Sequence, residues 1–545
     1  MLVLVMGQAL PQGVGIPLNS EEYTVIDRLN IRYGKVLPVF STAVKPYSRK
    51  KTAAYAQAVR NANIQGNARF ESDLSRLYLE TSEWLEDTVI KSKRPFWRIF
   101  YPEPSSFLAV NTRSFILKLN PVLHFQLGGQ KEAKELQFVN TRGVELRGYI
   151  LKRLGFYVYV ADNQMRNMDY VKERILQEEA VPGEAFYKEF RTTGVDYFTT
   201  QGYIVFNALR HIDISLGHGK HFFGNGIRSL FLSDYAANYF FLKLQTSVWR
   251  ITYTNLYTEM IATYDRGPDR TLPKKYAVFH HLNYNIVHWL DVGFFESVVY
   301  DALELQYLNP VIFYRSVEQG LGSSDNSVIG LDFKANIVRA LQLYGQVLLD
   351  EFNLSQIRKF NGWWGNKVGL QGGLKYADMF TVSHLDFQFE FNWVRPYTYS
   401  HHDSVTTYTH YNQPLAHPLG SNFWETLFLL RYQFIRRFTA RALVMYAQKG
   451  MSSATSNYGE NPLRPYVDAK GRPNYQEYDN TVAQGVKHHI TLFDFLLTYE
   501  PVHRLFVDFN LVMRKLRSDN PAENQVQFYG GVGLRLNIPY RGWWF

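Results

Sequence analysis

The sequence predicts an all-β transmembrane fold, an outer-membrane antiparallel β-barrel preceded by a small N-terminal helical domain. Three observations predict it. Apolar and polar residues alternate with a period of two over most of the chain beyond residue 106. The chain is 16% aromatic, with 39 Phe, 38 Tyr and 10 Trp, yet its mean hydropathy is −0.25. That pairing is expected when one face of every strand meets lipid and the other meets water. No stretch approaches the roughly 20 apolar residues of a membrane-spanning helix, which excludes a helical membrane protein.

Composition removes other classes. With no cysteine, a disulfide scaffold, a zinc finger and an iron–sulfur protein are all excluded. A hydrophobic content of 46% excludes disorder. Lys plus Arg number 59 against 49 Asp plus Glu, a net charge of +10, but the basic residues do not cluster. The longest run, Arg49-Lys50-Lys51, is too short for a nucleic-acid surface. Nucleic acid is therefore not an expected partner, whereas lipid phosphate or acidic polysaccharide is compatible with the charge.

Residues 1–16 read as a signal-peptide remnant or a disordered N-terminus. Met1–Leu10 is an apolar run with Gly7 and Ala9 in an A-x-A-like arrangement, but it lacks the basic n-region of a full signal. Residues 17–105 read as a periplasmic helical domain. Arg49–Ile64 is Ala-rich. Between Asn67 and Thr88, Phe70, Leu74, Leu77, Tyr78, Leu85 and Thr88 recur at helical spacing. The Pro- and aromatic-rich segment 95–104 closes the domain.

Residues 106–545 form the barrel. In 384–393, Leu385, Phe387, Phe389, Phe391 and Trp393 alternate with His384, Asp386, Gln388, Glu390 and Asn392. Similar alternation occupies 115–126, 144–150, 505–514 and 525–538, with further strands near 154–164, 202–217, 238–264, 275–302, 328–351, 364–379, 422–449 and 485–500. Tight turns are expected at 287–291 and 500–504. The count is about 16 to 18 strands of roughly 10–14 residues. Pro121, inside a strand pattern, predicts a strand start or a bulge. Three polar stretches, 165–200 (with a short helix over 170–179), 399–420 and 450–484, read as long extracellular loops opposite short periplasmic turns. The terminal Phe545 resembles the assembly signal of outer-membrane barrels.

The segment most suggestive of function is 217–238, where glycines at 217, 219, 224 and 226 are interleaved with cationic and amide side chains. It reads as a constricted loop folded into a lumen or lining a binding site. The run Phe223-Gly224-Asn225-Gly226, the stretch Ser229-Leu230-Phe231-Leu232-Ser233-Asp234, Ala236 and Leu242-Lys243-Leu244 together resemble the signature of Wzi-type capsule-assembly outer-membrane proteins. Asn225 stands where that family has Pro, and Tyr235-Ala236-Ala237 departs from its Asn-Ala. Ile26-Asp27-Arg28-Leu29, Val44-Lys45-Pro46-Tyr47 and 140–145 resemble a divergent branch that includes gliding-motility surface proteins of the RemB type.

The resemblance implies an 18-stranded barrel in the outer membrane of a Gram-negative bacterium, with a lectin-like role of retaining capsular or extracellular polysaccharide at the cell surface. The candidate polysaccharide-binding residues are His218, Lys220, His221, Asn225, Arg228 and Asp234. Expected partners are outer-membrane lipid, lipopolysaccharide and surface polysaccharide, with secretion or motility proteins as a further class. Two other functions are compatible: an accessory component of a gliding or protein-secretion system, and a diffusion porin.

No enzyme, cofactor or metal is expected. Ser215 with His211 or His218 lacks a third orienting residue or a nucleophile motif. The pairs His280-His281, His401-His402 and His488-His489 point to opposite faces if they lie on strands, and so could not chelate locally.

Overall fold

The computed structural model describes residues 13–34, 37, 40–62, 64, 66–85, 100–191, 193–209, 211–263, 271–311, 325–351, 353–468 and 470–545. Eighteen long antiparallel strands close into one barrel. They are β1 (Phe115–Gln130), β2 (Gln137–Ile150), β3 (Leu154–Arg166), β4 (Gly194–Leu209), β5 (Ile212–Gly219), β6 (Tyr239–Val248), β7 (Ile251–Ile261), β8 (Lys274–Val287) and β9 (Leu290–Tyr300). They continue as β10 (Asn326–Val338), β11 (Leu341–Leu349), β12 (Val368–Tyr376), β13 (Leu385–Val394), β14 (Phe423–Ile435), β15 (Phe438–Met451), β16 (Val486–Val502), β17 (Leu505–Ser518) and β18 (Gln525–Leu536). Each pairs with its sequence neighbour, and β18 closes on β1 from Tyr529↔Gln130 to Leu536↔Leu123.

The period of two sets which side chains face out. On β13, Phe391 is 36% exposed on the outer face, while Glu390 and Asn392 are buried on the lumenal face. Leu127, Leu370, Phe428 and Val532 continue the apolar outer surface. A charge placed at mid-height on that surface costs about 2–4 kcal/mol, which fixes the register of every strand. Pro121 is neither a strand start nor a bulge. It lies within β1, opposite Val144, at a junction between neighbours. On the other edge of β1, residues 116–119 pair with the short strand Leu108–Asn111, and β18 pairs only from Leu123 onward. Neither neighbour pairs with residue 121, so the missing N–H interrupts no ladder there.

One end of the barrel carries the short connections, such as 288–289, 339–340 and 503–504, with 377–384 the longest, while the other carries the long ones. Three helices gather at the tight-turn end: α1 (Glu21–Tyr33), α2 (Arg49–Asn61) and α3 (Ala68–Glu80). Glu21 and Glu22 occupy the first turn of α1 and Arg32 its last, matching the helix dipole. The Asn67 side chain caps α3 by accepting from the N–H groups of Arg69 and Phe70, both at 3.0 Å. Ile26, Leu29, Ala56, Val59, Phe70 and Leu77 form the core the helices share. α3 stops at Glu80, short of the helical pattern read as far as Thr88, and Thr88 lies outside the described residues. Residues 1–12 also lie outside them, while Val14 and Ile16 are buried.

The helices are held to the barrel by buried ion pairs. Arg49 bonds Glu80 and lies 3.6 Å from Glu145 of β2. Arg504, beside the β16–β17 turn, reaches Glu80 at 3.0 Å, Glu22 at 3.6 Å and Glu145 at 3.7 Å. Arg76 bonds Glu500, and Arg28 bonds Asp386. Lys118 of β1 lies 3.2 Å from Glu83 and 2.8 Å from Glu103.

The lumen is filled from both ends and from the chain's last residues. The connection 395–422 folds inward where a long extracellular loop was expected: Tyr399, Tyr408, His410 and His417 are all buried. The helix expected over 170–179 is α4 (Asp169–Glu178). Phe545 is not part of the closing strand, which ends at Leu536. Residues 537–545 turn back into the lumen, where Phe545 is buried against Tyr170, Tyr235 and Arg174.

Candidate functional site in the lumen

The connection between β5 and β6 crosses the lumen and meets the N-terminal segment. Phe222 and Phe223 pair with Lys45 and Val44 as a two-stranded bridge, and Gly224 N–H donates to the Ala43 carbonyl at 2.7 Å. Gly224 has φ of 136°, and a Cβ there would stand 2.6 Å from Gln346 Nε2. At Gly226 a Cβ would stand 2.4 Å from Glu390 Oε2, the carboxylate that accepts from Ile227 N–H at 2.7 Å and Arg228 N–H at 3.0 Å. These glycines let the main chain lie directly on lumenal side chains.

The structure separates the six candidate residues. Lys220, His221, Arg228 and Asp234 line one cavity of about 500 Å³; His218 and Asn225 do not. His218 lies on β5, opposite Phe240 and Gly202. Asn225 is buried and accepts from Thr42 Oγ1 at 2.6 Å, which ties the loop to the N-terminal segment.

Arg228 is also engaged by its surroundings. It donates to Glu425 Oε1 at 3.0 Å and to the Trp544 carbonyl, while Glu425 accepts from His417 Nε2 at 2.8 Å and Asn392 Nδ2 at 3.0 Å. Lys220 Nζ donates to the carbonyls of Gly183 (2.7 Å), Asp234 (3.2 Å) and Ala236 (3.1 Å). Burial lowers its pKa, although Glu184 and Asp234 act the other way. His221 sits edge-on to Phe241 at 4.6 Å, and burial, with Lys243 nearby, holds it well below the ordinary histidine value. Asp234 accepts from Asn19 Nδ2 at 2.6 Å.

Sequence reasoning missed much of the remaining lining. Tyr157 and Tyr203 stack at 5.2 Å across β3 and β4, with Tyr159, Gln126, Thr141 and Gln201 nearby on the same side of the barrel. Lys45, Lys243 and Arg441 contribute cations, and residues 537–545 contribute Tyr540 and Trp544. Burial, with Lys375 nearby, pushes Lys45 down to about 8. The signal for Lys243 was present as the one cation of β6, while Arg441 shares its face of β15 with Lys449.

The histidine pairs are not all alike. His280-His281 and His488-His489 lie on β8 and β16, but His401-His402 lies in the β13–β14 connection, with its rings 4.1 Å apart. The opposite-face argument therefore does not apply to that pair.

No family model matches the chain, and no curated protein does. Among solved structures the chain is similar to Wzi of Escherichia coli, an outer membrane protein involved in group 1 capsule assembly and a carbohydrate-binding β-barrel. The TM-score is 0.58 at 12% identity, covering 97% of this chain and 100% of that one. The chain also matches the outer membrane protein OprD of Pseudomonas aeruginosa, with a TM-score of 0.43 at 11% identity, covering 78% of this chain and 94% of that one. The likeness to Wzi shows the fold, that of an outer-membrane β-barrel.

Proposed function

We propose that this chain is a non-enzymatic, Wzi-type barrel of a Gram-negative outer membrane that binds capsular or extracellular polysaccharide and retains it at the cell surface. The observation that carries this reading is the lumenal cavity, in which tyrosine rings, amides and cations line one volume. Aromatic faces suit the apolar faces of sugar rings, and amide, hydroxyl and cationic groups suit their hydroxyls and carboxylates. The fold likeness to a carbohydrate-binding barrel supports the same reading. In this arrangement the helices face the periplasm and the long connections face outward.

Deleting the gene should release cell-associated polysaccharide into the medium; unchanged retention would refute the proposal. The Phe222–Phe223 bridge across the lumen favours binding over diffusion, so reconstituted protein should give no steady single-channel conductance. Stable open-channel currents would favour the porin reading. A separate reading, an accessory role in gliding or secretion, draws support from exposed apolar side chains on the long-connection end, Leu305 and Phe360. Co-purification of secretion or adhesin components without glycan would favour it.

A further inference from the structure

Four cations line the cavity without a carboxylate hydrogen-bonded or ion-paired to them among the described residues. Lys45 Nζ lies over the rings of Phe222, at 4.4 Å, and Tyr23, at 5.7 Å, and makes no hydrogen bond there. Lys243, only 7% exposed, has neither a hydrogen bond nor an ion pair among those residues. The Arg441 guanidinium lies over Tyr540, at 4.3 Å, and Trp544, at 5.2 Å, with its buried Nε and Nη2 lacking hydrogen-bond partners. Lys220 donates only to main-chain carbonyls.

Withdrawing a cation from water without an anion beside it is unfavourable. Elsewhere in this lumen Lys334 has Asp291 at 2.6 Å and Lys118 has Glu103 at 2.8 Å, whereas Lys275, also buried, is held by Thr407 and Thr409. Seven Lys and Arg side chains line the void against four carboxylates, Asp27, Glu145, Glu184 and Asp234. On the same cavity stand Tyr157, Tyr159 and Tyr203, with the amides of Gln126 and Gln201. The volume, about 500 Å³, lies within the ~300–1,000 Å³ typical of small-ligand sites and suits a few sugar rings.

We infer that the cavity takes an acidic saccharide, a short stretch of glycan whose rings lie on the tyrosines and whose carboxylates meet Lys45, Lys243 and Arg441. The inference rests on the polysaccharide-binding reading and narrows it to an anionic glycan held within the lumen.

The test is calorimetric titration of the full chain, purified in detergent, with tri-galacturonate and a hyaluronan tetrasaccharide, each beside its carboxyl-reduced, neutral counterpart. An acidic probe should bind about tenfold or more tightly than its neutral counterpart, and Lys243→Met and Arg441→Met should each weaken it by a similar factor. Lys243→Arg should retain binding. Unheated samples that keep the folded-barrel mobility on gels would show that the variants are folded. If Lys243→Met does not fold, Lys45→Met takes its place.

Equal affinity for acidic and neutral probes, or folded variants that bind undiminished, would overturn the charge assignment and leave the broader reading standing. Binding of none of the probes would overturn the lumenal site, and the deletion experiment then decides the broader reading on its own.

Discussion

The charges beneath the tight turns and the charges around the cavity are both withdrawn from bulk water, yet their pairing is complete in the first region and partial in the second. At the helical end every arginine of the cluster has carboxylates within 4 Å: Arg49 and Arg504 share Glu80 and Glu145, and Arg76 bonds Glu500. In the cavity the pairing is incomplete: Arg228 has Glu425, Lys375 has Asp27 and Arg541 has Glu184, but Lys243 and Arg441 have no carboxylate within 4 Å among the described residues. The first arrangement is a fastening, complete within the chain. The second is complete only when something anionic arrives. The difference shows that buried charge in one lumen can serve attachment or recognition, and that its pairing tells the two apart.

The largest break in the comparison comes from removing an acid at the helical end. Glu80→Ala leaves Arg49 and Arg504 short of a partner, and breaking a buried pair in this way costs about 3–5 kcal/mol. Thermal scanning of the gel-mobility shift should show a clearly lowered transition, with the helices cleaved more readily by protease. An unchanged transition would mean that the cluster does not fasten the helices.

Acid should produce a graded form of the same effect. Burial alone would raise Glu80, but Arg49 and Arg504 beside it more than offset this and hold its pKa well below the ordinary 4.5. Lys118 and Arg147 do the same for Glu83. A depressed carboxylate contributes stability that is fully present above 4.5 and is lost as pH falls through its folded value. Protease resistance of the helices should hold at pH 6 and decline in buffers below about pH 4.5; resistance independent of pH would contradict the pairing.

The cavity should respond with the opposite sign. Lys243→Met removes a buried cation with no partner and should leave the thermal transition unchanged or raise it by about 1 kcal/mol of stability. A large loss would reveal an attachment role. The smallest effect is expected outside both regions. Phe360 is 92% exposed, and Phe360→Ser should stay within about 0.5 kcal/mol of the unaltered chain by the same measurement.

The barrel was legible because lipid on one side and polar groups on the other impose a strict period of two, as at Leu385–Val394. The contents of the lumen were much less so. Residues 399–420 read as a loop in water, but their Thr, Tyr and His side chains suit a polar lumen just as well, and hydropathy does not separate the two. α1 went unread because residues it buries include Arg28 and Asn30, which pack against barrel side chains. Of the candidate site, the glycine-punctuated loop pointed to the right segment. Which of its polar residues are already engaged, as Arg228 is by Glu425, depends on strands nearly 200 residues away.

The Val44–Lys45 and Phe222–Phe223 bridge joins a segment rooted in the helices at one mouth to a connection rooted among the long loops at the other. In mechanical terms it is a strut across the interior, pinned at both ends. Load applied to the loop connection reaches the helices through main-chain hydrogen bonds, and no strand of the wall has to move for it to do so.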